Sequence, residues 1–164
     1  MAKQTSPSFN VPGHFPQRIV PWADKYVGLP FKDRGRSLGG CDCWGLVWLV
    51  MRLEAAIDLP RYDHIDYQDG KGVRDKIREQ TEATMDWVAV VPGTQRMFDV
   101  VVLSSHFQSL GVWRATSGHV GIMANEVRML HIEPESRGSV CIPVDQGEII
   151  TRIRGFYRHR SLAK

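Results

Sequence analysis

The stretch GGCDCWGLV, residues 39–47, leads from a glycine-rich loop into the start of an apolar helix. Asp42 stands where an N-cap residue belongs, because its short carboxylate can accept from the first free N–H groups. From Cys43 onward apolar residues recur at helical spacing, and Asp-Leu-Pro at 58–60 ends the pattern. The predicted apolar stripe consists of Leu46, Val47, Leu49, Val50, Leu53 and Ile57. The spacing therefore predicts a helix that carries Cys43 in its first turn.

A cysteine in the first turn of a helix is a candidate nucleophile. Unpaired N–H groups and the positive end of the helix dipole stabilise a thiolate. Such positions lower a thiol pKa from about 8.5 into the range of roughly 3.5–7.5. The same N–H groups can donate to the oxyanion of an acyl-transfer transition state. The alternative is that Cys43 is a small buried apolar residue, as most free cysteines are. This stretch alone leaves both interpretations open.

A nucleophilic cysteine needs a base, and His119 in the run GHVGIM at 118–123 is the candidate. A second histidine, His131, follows on the next predicted strand. A three-residue loop at 124–126 would pair Met123 with Val127 and put His119 directly opposite His131. His131 would then hold one ring nitrogen of His119 and leave the other for the thiol. A two-residue loop would put the rings on opposite faces, and two unrelated histidines remain the alternative.

The remainder of the chain predicts helices followed by short strands. Residues 1–16 hold three prolines and are interpreted as an extended arm before a single domain at 17–164. Pro21 opens a short helix that Gly-Leu-Pro at 28–30 ends, and a polar helix is predicted at 73–84. Strands are predicted at 87–91, 100–103, 120–123, 127–132, 140–144 and 148–157, with a long loop at 104–118. Helices followed by antiparallel strands make an α+β fold.

Composition narrows the class of protein. The chain has 164 residues, 43% of them hydrophobic and 24% charged, which is typical of one globular domain. Its net charge is only +3, and the basic residues are scattered, so a nucleic-acid binder is not expected. The longest apolar run, residues 43–51, is too short to span a membrane. The N-terminus carries no apolar core of a signal peptide, which predicts synthesis in a cytoplasm without export by that route.

The three cysteines do not form a disulfide framework. Cys41 and Cys43 at C-x-C spacing are an alternative pair of zinc ligands. Structural zinc sites usually carry two ligand pairs, and the one further cysteine, Cys141, stands alone. The sequence therefore predicts no metal site.

The same residues resemble the NlpC/P60 family of papain-like cysteine peptidases. The resemblance runs from Trp22 to Tyr157 and rests on YVGLPF at 26–31, DCWGLV at 42–47, HVGIM at 119–123 and MLH at 129–131. It implies a catalytic Cys43, a base His119 and an orienting His131, on a helix packed against an antiparallel sheet. It also implies cleavage of peptidoglycan stem peptides with no metal or cofactor.

Within that family the chain looks most like phage and prophage tail members, because of the Asp-Cys-Trp-Gly-Leu-Val variant and the following Leu59-Pro60. That likeness implies other tail proteins as partners and location in a virion or a prophage. The resemblance also implies that Asp42, Trp44 and Phe31 line the substrate site. Many relatives carry Ser where Trp44 stands and Tyr where Phe31 stands, so the specificity is expected to differ.

Two other functions use the same residues. One is a catalytically inactive tail-assembly protein on the same fold. The other is an amidase or acyltransferase that uses the Cys-His-His set on a different substrate. The sequence favours a cysteine endopeptidase of cell-wall peptides.

Overall fold

The computed structural model describes residues 20–64, 86–109 and 112–163, without the side chains of 105–117. The helices are α1 (Pro21–Asp24), α2 (Cys43–Glu54) and α3 (Gly147–Arg152), with a 3-10 turn at Arg160–Leu162. The strands are β1 (Arg36–Ser37), β2 (Gly40–Cys41), β3 (Trp87–Val90), β4 (Val100–Ser109), β5 (Val112–Met123), β6 (Arg128–His131), β7 (Val140–Pro143) and β8 (Ile153–His159). The predicted arm at 1–16 and the predicted polar helix at 73–84 lie outside the described residues.

Helix α2 begins where the sequence predicts it, at Cys43. The Asp42 carboxylate accepts a hydrogen bond of 2.6 Å from the Gly45 N–H, so Asp42 is the N-cap. Gly45 is required because a Cβ there would lie 2.2 Å from the Gly35 carbonyl oxygen. The helix ends earlier than predicted, at Glu54, since the Ala55 N–H closes the last turn onto Met51. Leu53 was expected in the buried stripe but is 56% exposed, because the covered face stops with Met51.

Six strands form one antiparallel sheet in the order β3-β8-β4-β5-β6-β7. Alternate residues of β4, β5 and β6 point to opposite faces, as strand geometry requires. One face packs on α2 through Val100, Val102, Val120, Ile122 and Leu130. The other face carries Val101, Leu103, Met123 and Met129 and packs against the segment of α3. This is the α+β fold that the sequence predicts.

Two predicted elements are wrong. The stretch 104–118 is not one long loop, because β4 continues to Ser109 and β5 begins at Val112, with a register shift beyond Leu103. The stretch 148–157 is not one strand, because α3 occupies its first part and β8 starts at Ile153. Its β-branched residues suggested a strand, but Ile149 packs on the sheet as a helical residue while Ile150 is exposed. No helix among the described residues is long and apolar enough to span a membrane.

Candidate active site

Cys43 lies at the N-terminus of α2, against the main chain of β5. Its sulfur is 4.0 Å from the carbonyl oxygen of Gly118, and the residue is 1% exposed. Burial raises the pKa of the Cys43 thiol to about 12, and the charge of Asp42 raises it further, while the N–H groups of Val120 and Trp44 act in the opposite direction. The sequence pattern suggested a resting thiolate at this helix N-terminus. The thiol is instead protonated at rest, because the effect of burial on its pKa outweighs the effect of the helix N-terminus.

His119 and His131 are in direct contact. Nε2 of His119 lies 3.0 Å from Nδ1 of His131, and the two rings are inclined by 70°. The predicted contact is present, but the predicted register is wrong. Ile122 pairs with Leu130 and Met123 with Met129, so the turn is two residues longer than expected. A shift of two residues keeps both histidines on one face, since side chains alternate with a period of two.

Gly121 makes room for this contact. Continuing the register by one pair sets His131 opposite Gly121 rather than opposite His119. A Cβ on Gly121 would lie 2.9 Å from the Leu130 carbonyl oxygen and 3.3 Å from the His131 Cβ. The missing side chain thus lets the imidazole of His131 lean along the sheet towards His119.

Both imidazoles are held in the neutral form. Burial lowers the pKa of His119 well below 6.5, and His131 and Arg152 lower it further. The pKa of His131 is also lowered by burial, with Glu133 raising it and Arg152 lowering it. Nδ1 of His119 is buried and has no hydrogen-bond partner among the described residues. Cys43 and His119 are therefore not hydrogen-bonded in this conformation.

Glu133 and Arg152 belong to the same site, although no sequence motif pointed to either residue. The Glu133 carboxylate lies 3.7 Å from Nε2 of His119 and 3.9 Å from Nδ1 of His131. Arg152 donates to that carboxylate at 2.6 Å, and its Nε donates to the carbonyl oxygen of Ser104. Glu133 stands two residues after His131, a spacing that would have indicated one face of an extended strand. Arg152 gave no signal, because its segment was interpreted as a strand.

Asp42 is occupied by contacts within the protein. Its Oδ1 accepts from Gly45 and, at 2.8 Å, from the guanidinium of Arg36, while its Oδ2 accepts from the Arg34 N–H. The side chains of Arg36 and Asp42 are 2% and 5% exposed. The carboxylate thus holds the N-terminus of α2, and the predicted contact of Asp42 with substrate stays a prediction.

Trp44 is a core residue. It is 3% exposed, its Nε1 donates to the carbonyl oxygen of Pro60 at 2.9 Å, and its ring contacts Tyr62. The indole thus turns inward, and the predicted contact of Trp44 with substrate stays a prediction. Phe31 is half-buried and packs against the core around α2. Its main chain pairs with that of Cys41 in an isolated parallel β-bridge. Its predicted contact with substrate stays a prediction.

Cys41 is fully buried on β2, where burial raises the pKa of its thiol to about 12. Among the described residues, the group of side chains whose ligand atoms converge is His119, His131 and Glu133 rather than the C-x-C pair. The C-x-C zinc alternative therefore finds no further ligand in the part of the chain that is described.

No family model and no curated protein sequence matches this chain. Solved structures do match it. An NlpC/P60 family protein from Bacillus cereus ATCC 10987 has 24% identity and a TM-score of 0.54 over 82% of this chain. A lipoprotein-like NLP/P60 family protein from Staphylococcus aureus Mu50 has 22% identity and a TM-score of 0.55 over 84%. The NlpC/p60 domain of the peptidoglycan hydrolase SagA has 17% identity and a TM-score of 0.50 over 83%.

The likeness defines the class of fold. The chain has the α+β fold of NlpC/P60 proteins, with the cysteine-bearing helix packed on an antiparallel sheet. It spans 36% and 38% of the first two chains and 92% of the SagA domain. At these identities the comparison establishes the fold alone.

Proposed function

We propose that this chain is a papain-like cysteine peptidase of the NlpC/P60 family that hydrolyses peptidoglycan stem peptides. One observation carries the proposal. His131 is hydrogen-bonded to Nε2 of His119, which leaves Nδ1 of His119 without a partner among the described residues. The residues on either side of His119, Gly118 and Val120, contact the Cys43 sulfur through their main chains. This arrangement supports the assignment of Cys43 as nucleophile, His119 as base and His131 as the group that orients the base.

The proposed first step is transfer of the Cys43 proton to Nδ1 of His119. His119 keeps its own proton on Nε2 and donates it to Nδ1 of His131, a tautomer that leaves the Nδ1 lone pair free. The thiolate then attacks the carbonyl carbon of the scissile amide, and the imidazolium returns the proton to the departing amine. Water hydrolyses the thioester that remains. The absence of a Cys43–His119 hydrogen bond before substrate binds does not exclude this step, because catalytic hydrogen bonds often tighten only in the substrate complex.

Glu133 supports the charged intermediate of this scheme. Proton transfer creates an imidazolium within 3.7 Å of the Glu133 carboxylate, and Arg152 keeps that carboxylate in place. A negative charge at this distance stabilises the imidazolium more than the neutral ring. Glu133 therefore lowers the free energy of the state with a Cys43 thiolate and a His119 imidazolium, without contacting the substrate.

The substrate class comes from the resemblance and from one neighbour. SagA is described as a peptidoglycan hydrolase, and its NlpC/p60 domain shares the fold of this chain. Asp42 and Trp44 are used inside the protein, so recognition of the stem peptide relies on other groups, of which Phe31 is the remaining candidate.

The test is digestion of purified sacculi and muropeptides, with the products identified by mass spectrometry. The wild-type chain should release free amines from stem peptides, and Cys43→Ala should release none. Cys141→Ala is the matched control, because Cys141 lies on β7 and carries no role in the scheme. Hydrolysis that survives in Cys43→Ala would overturn the proposal. Transfer of the acyl group to an added amine would instead assign an acyltransferase.

A second candidate function is a non-catalytic protein on the same fold. The observation that favours it is the burial of Cys43, which is 1% exposed and has a thiol pKa raised to about 12. In that case a thiol-reactive peptide substrate analogue should fail to label Cys43, while the folded protein still binds its partner.

We further propose that the chain works in a phage tail, as a virion or prophage protein that contacts other tail proteins. The support is the resemblance of residues 42–47 and 59–60 to tail members of the family. Mass spectrometry of purified virions after prophage induction tests this: peptides of this chain should co-purify with tail proteins. Their absence from intact particles would contradict it.

A further inference from the structure

Three ligand atoms converge at the pair of histidines. Nε2 of His119, Nδ1 of His131 and Oε1 of Glu133 are 3.0, 3.7 and 3.9 Å apart in pairs. A tetrahedral zinc ion with bonds of about 2.0–2.1 Å holds its ligand atoms roughly 3.3 Å apart. We propose that these three residues form an inhibitory zinc site, in which the bound ion withdraws His119 from proton transfer. The inhibitory part of this proposal rests on the proposed function, and the zinc site itself does not.

The donor set suits zinc rather than calcium or magnesium. Two imidazole nitrogens and one carboxylate oxygen are ligands that zinc accepts, and a water molecule would complete four-coordination. The side chains of His119 and His131 are 0% and 8% exposed, whereas that of Glu133 is 35% exposed. Glu133 therefore provides the side from which an ion reaches the buried nitrogens.

The positive charge of Arg152 weakens the binding of a cation at this site. Its guanidinium lies 2.6 Å from the Glu133 oxygen that an ion would use, and its Nε is fixed on the Ser104 carbonyl. A fixed positive charge beside a divalent cation weakens binding. The site should therefore release zinc readily, as a reversible inhibitor requires, and removal of this charge should tighten binding.

The bound ion would set the wrong tautomer for catalysis. A neutral imidazole that binds zinc through Nε2 carries its proton on Nδ1. The proton of His119 thus moves from Nε2 to Nδ1 through solvent, and no proton is gained or lost overall. His131 binds through Nδ1 and keeps its proton on Nε2. With Nδ1 of His119 protonated, no lone pair is left to accept the proton of Cys43.

Calorimetric titration of zinc chloride into tag-free Cys43→Ala protein tests the site without the thiol and without activity. The expected result is one ion per chain. Glu133→Gln in the same background should weaken binding at least tenfold, and Arg152→Gln should strengthen it. Glu135→Gln is the matched control, since Glu135 is exposed two residues further on and should leave the affinity unchanged. Because the substitution at half-exposed Glu133 preserves size, circular dichroism should report an unchanged fold.

Two results would overturn the zinc site: no binding to the Cys43→Ala protein, or equal binding to its Glu133→Gln form. Cobalt(II) provides a second measurement, because a thiolate ligand adds a sulfur-to-metal charge-transfer band that histidine and glutamate ligands do not. That band in the wild-type protein together with loss of binding in Cys43→Ala would assign the ion to the thiol instead.

The inhibitory role is tested on the wild-type chain with muropeptides. Zinc should stop hydrolysis over the concentration range in which it fills the site, and the residual activity of Glu133→Gln should need at least tenfold more zinc. Hydrolysis that continues with the site filled would overturn inhibition. Zinc binding by a chain that hydrolyses nothing would refute the proposed function alone, whereas hydrolysis by a chain that binds no zinc would refute the site alone.

Discussion

His119 and His131 share a hydrogen bond of 3.0 Å although the two residues are not cross-strand partners. Extending the register by one pair sets His131 opposite Gly121, two residues beyond His119 along β5. Diagonal neighbours on one face are within reach of long or aromatic side chains. A Cβ at position 121 would press on the Leu130 carbonyl oxygen and on the His131 Cβ, so the glycine helps to position His131.

Gly121→Ala should therefore damage catalysis more than stability. The new Cβ would press on the Leu130 carbonyl oxygen and on the His131 Cβ, so the main chain of β6 would have to shift and carry the His131 ring with it. Misplacement of a catalytic group by about 1 Å can cost 100-fold in rate, so a loss in kcat of about 10- to 100-fold is expected. Steady-state hydrolysis of muropeptides measures it. Gly39→Ala is the control, because the nearest atom to its Cβ is 3.5 Å away. Equal losses in the two variants would contradict the positioning role.

Alkylation of Cys43 should depend steeply on pH. The pKa of the thiol is raised to about 12 by burial, so the thiol is protonated at neutral pH. Only the thiolate reacts, and as long as the pH is below the pKa its fraction rises about tenfold with each unit of increase in pH. The rate of reaction with iodoacetamide, followed by mass spectrometry between pH 7 and 10, should rise accordingly. A rate that is already constant near pH 7 would indicate a resting thiolate paired with an imidazolium, contrary to the proposed order of steps.

Glu133→Gln should lower kcat and leave KM nearly unchanged. The carboxylate lies 3.7 Å from Nε2 of His119, and its charge favours the imidazolium that forms during the reaction. Solvent and Arg152 screen this interaction, so a loss of about tenfold is expected, equivalent to about 1.4 kcal/mol. Kinetics with a single muropeptide separate kcat from KM, and Glu135→Gln serves as the control. A rise in KM alone would show that Glu133 contacts the substrate instead.

Asp42→Asn should destabilise the protein rather than alter recognition. Asparagine can still cap α2, but the substitution leaves the buried Arg36 guanidinium without its charged partner. Loss of one member of a buried ion pair typically costs about 3–5 kcal/mol. Urea denaturation measures the free energy of unfolding, with Asp33→Asn as control because the Asp33–Arg34 pair is exposed. Unchanged stability with a raised KM would support the prediction that Asp42 lines the substrate site.

Trp44→Ser should destabilise the core. Emptying an aromatic core site costs about 3–5 kcal/mol. Trp44→Phe keeps most of the ring and loses the hydrogen bond to Pro60, at about 1 kcal/mol. Leu53→Ser on the same helix should change the free energy of unfolding by less than about 0.5 kcal/mol, since Leu53 is exposed. If Trp44→Ser leaves stability unchanged and alters the preference among stem lengths, the indole contributes to specificity after all.

The sequence by itself determined the features that depend on neighbouring residues. Asp42 as N-cap, Cys43 in the first helical turn and the alternation in 119–123 follow from capping and from the periods of helix and strand. These local rules were sufficient for the α+β fold class and for the pair of histidines on one face. They also predicted a turn of the wrong length at 124–126, where the error of two residues happened to preserve the face.

Only the tertiary structure decided which groups surround those residues. Arg152 reaches Glu133 because α3 and β8 return the chain to the dyad, and no local pattern encodes that contact over 19 residues. Trp44 and Asp42 were expected at a substrate cleft, but packing against Pro60 and the buried charge of Arg36 turn both inward. Burial also sets the pKa of Cys43, since desolvation depends on everything that covers the thiol rather than on its place in the sequence.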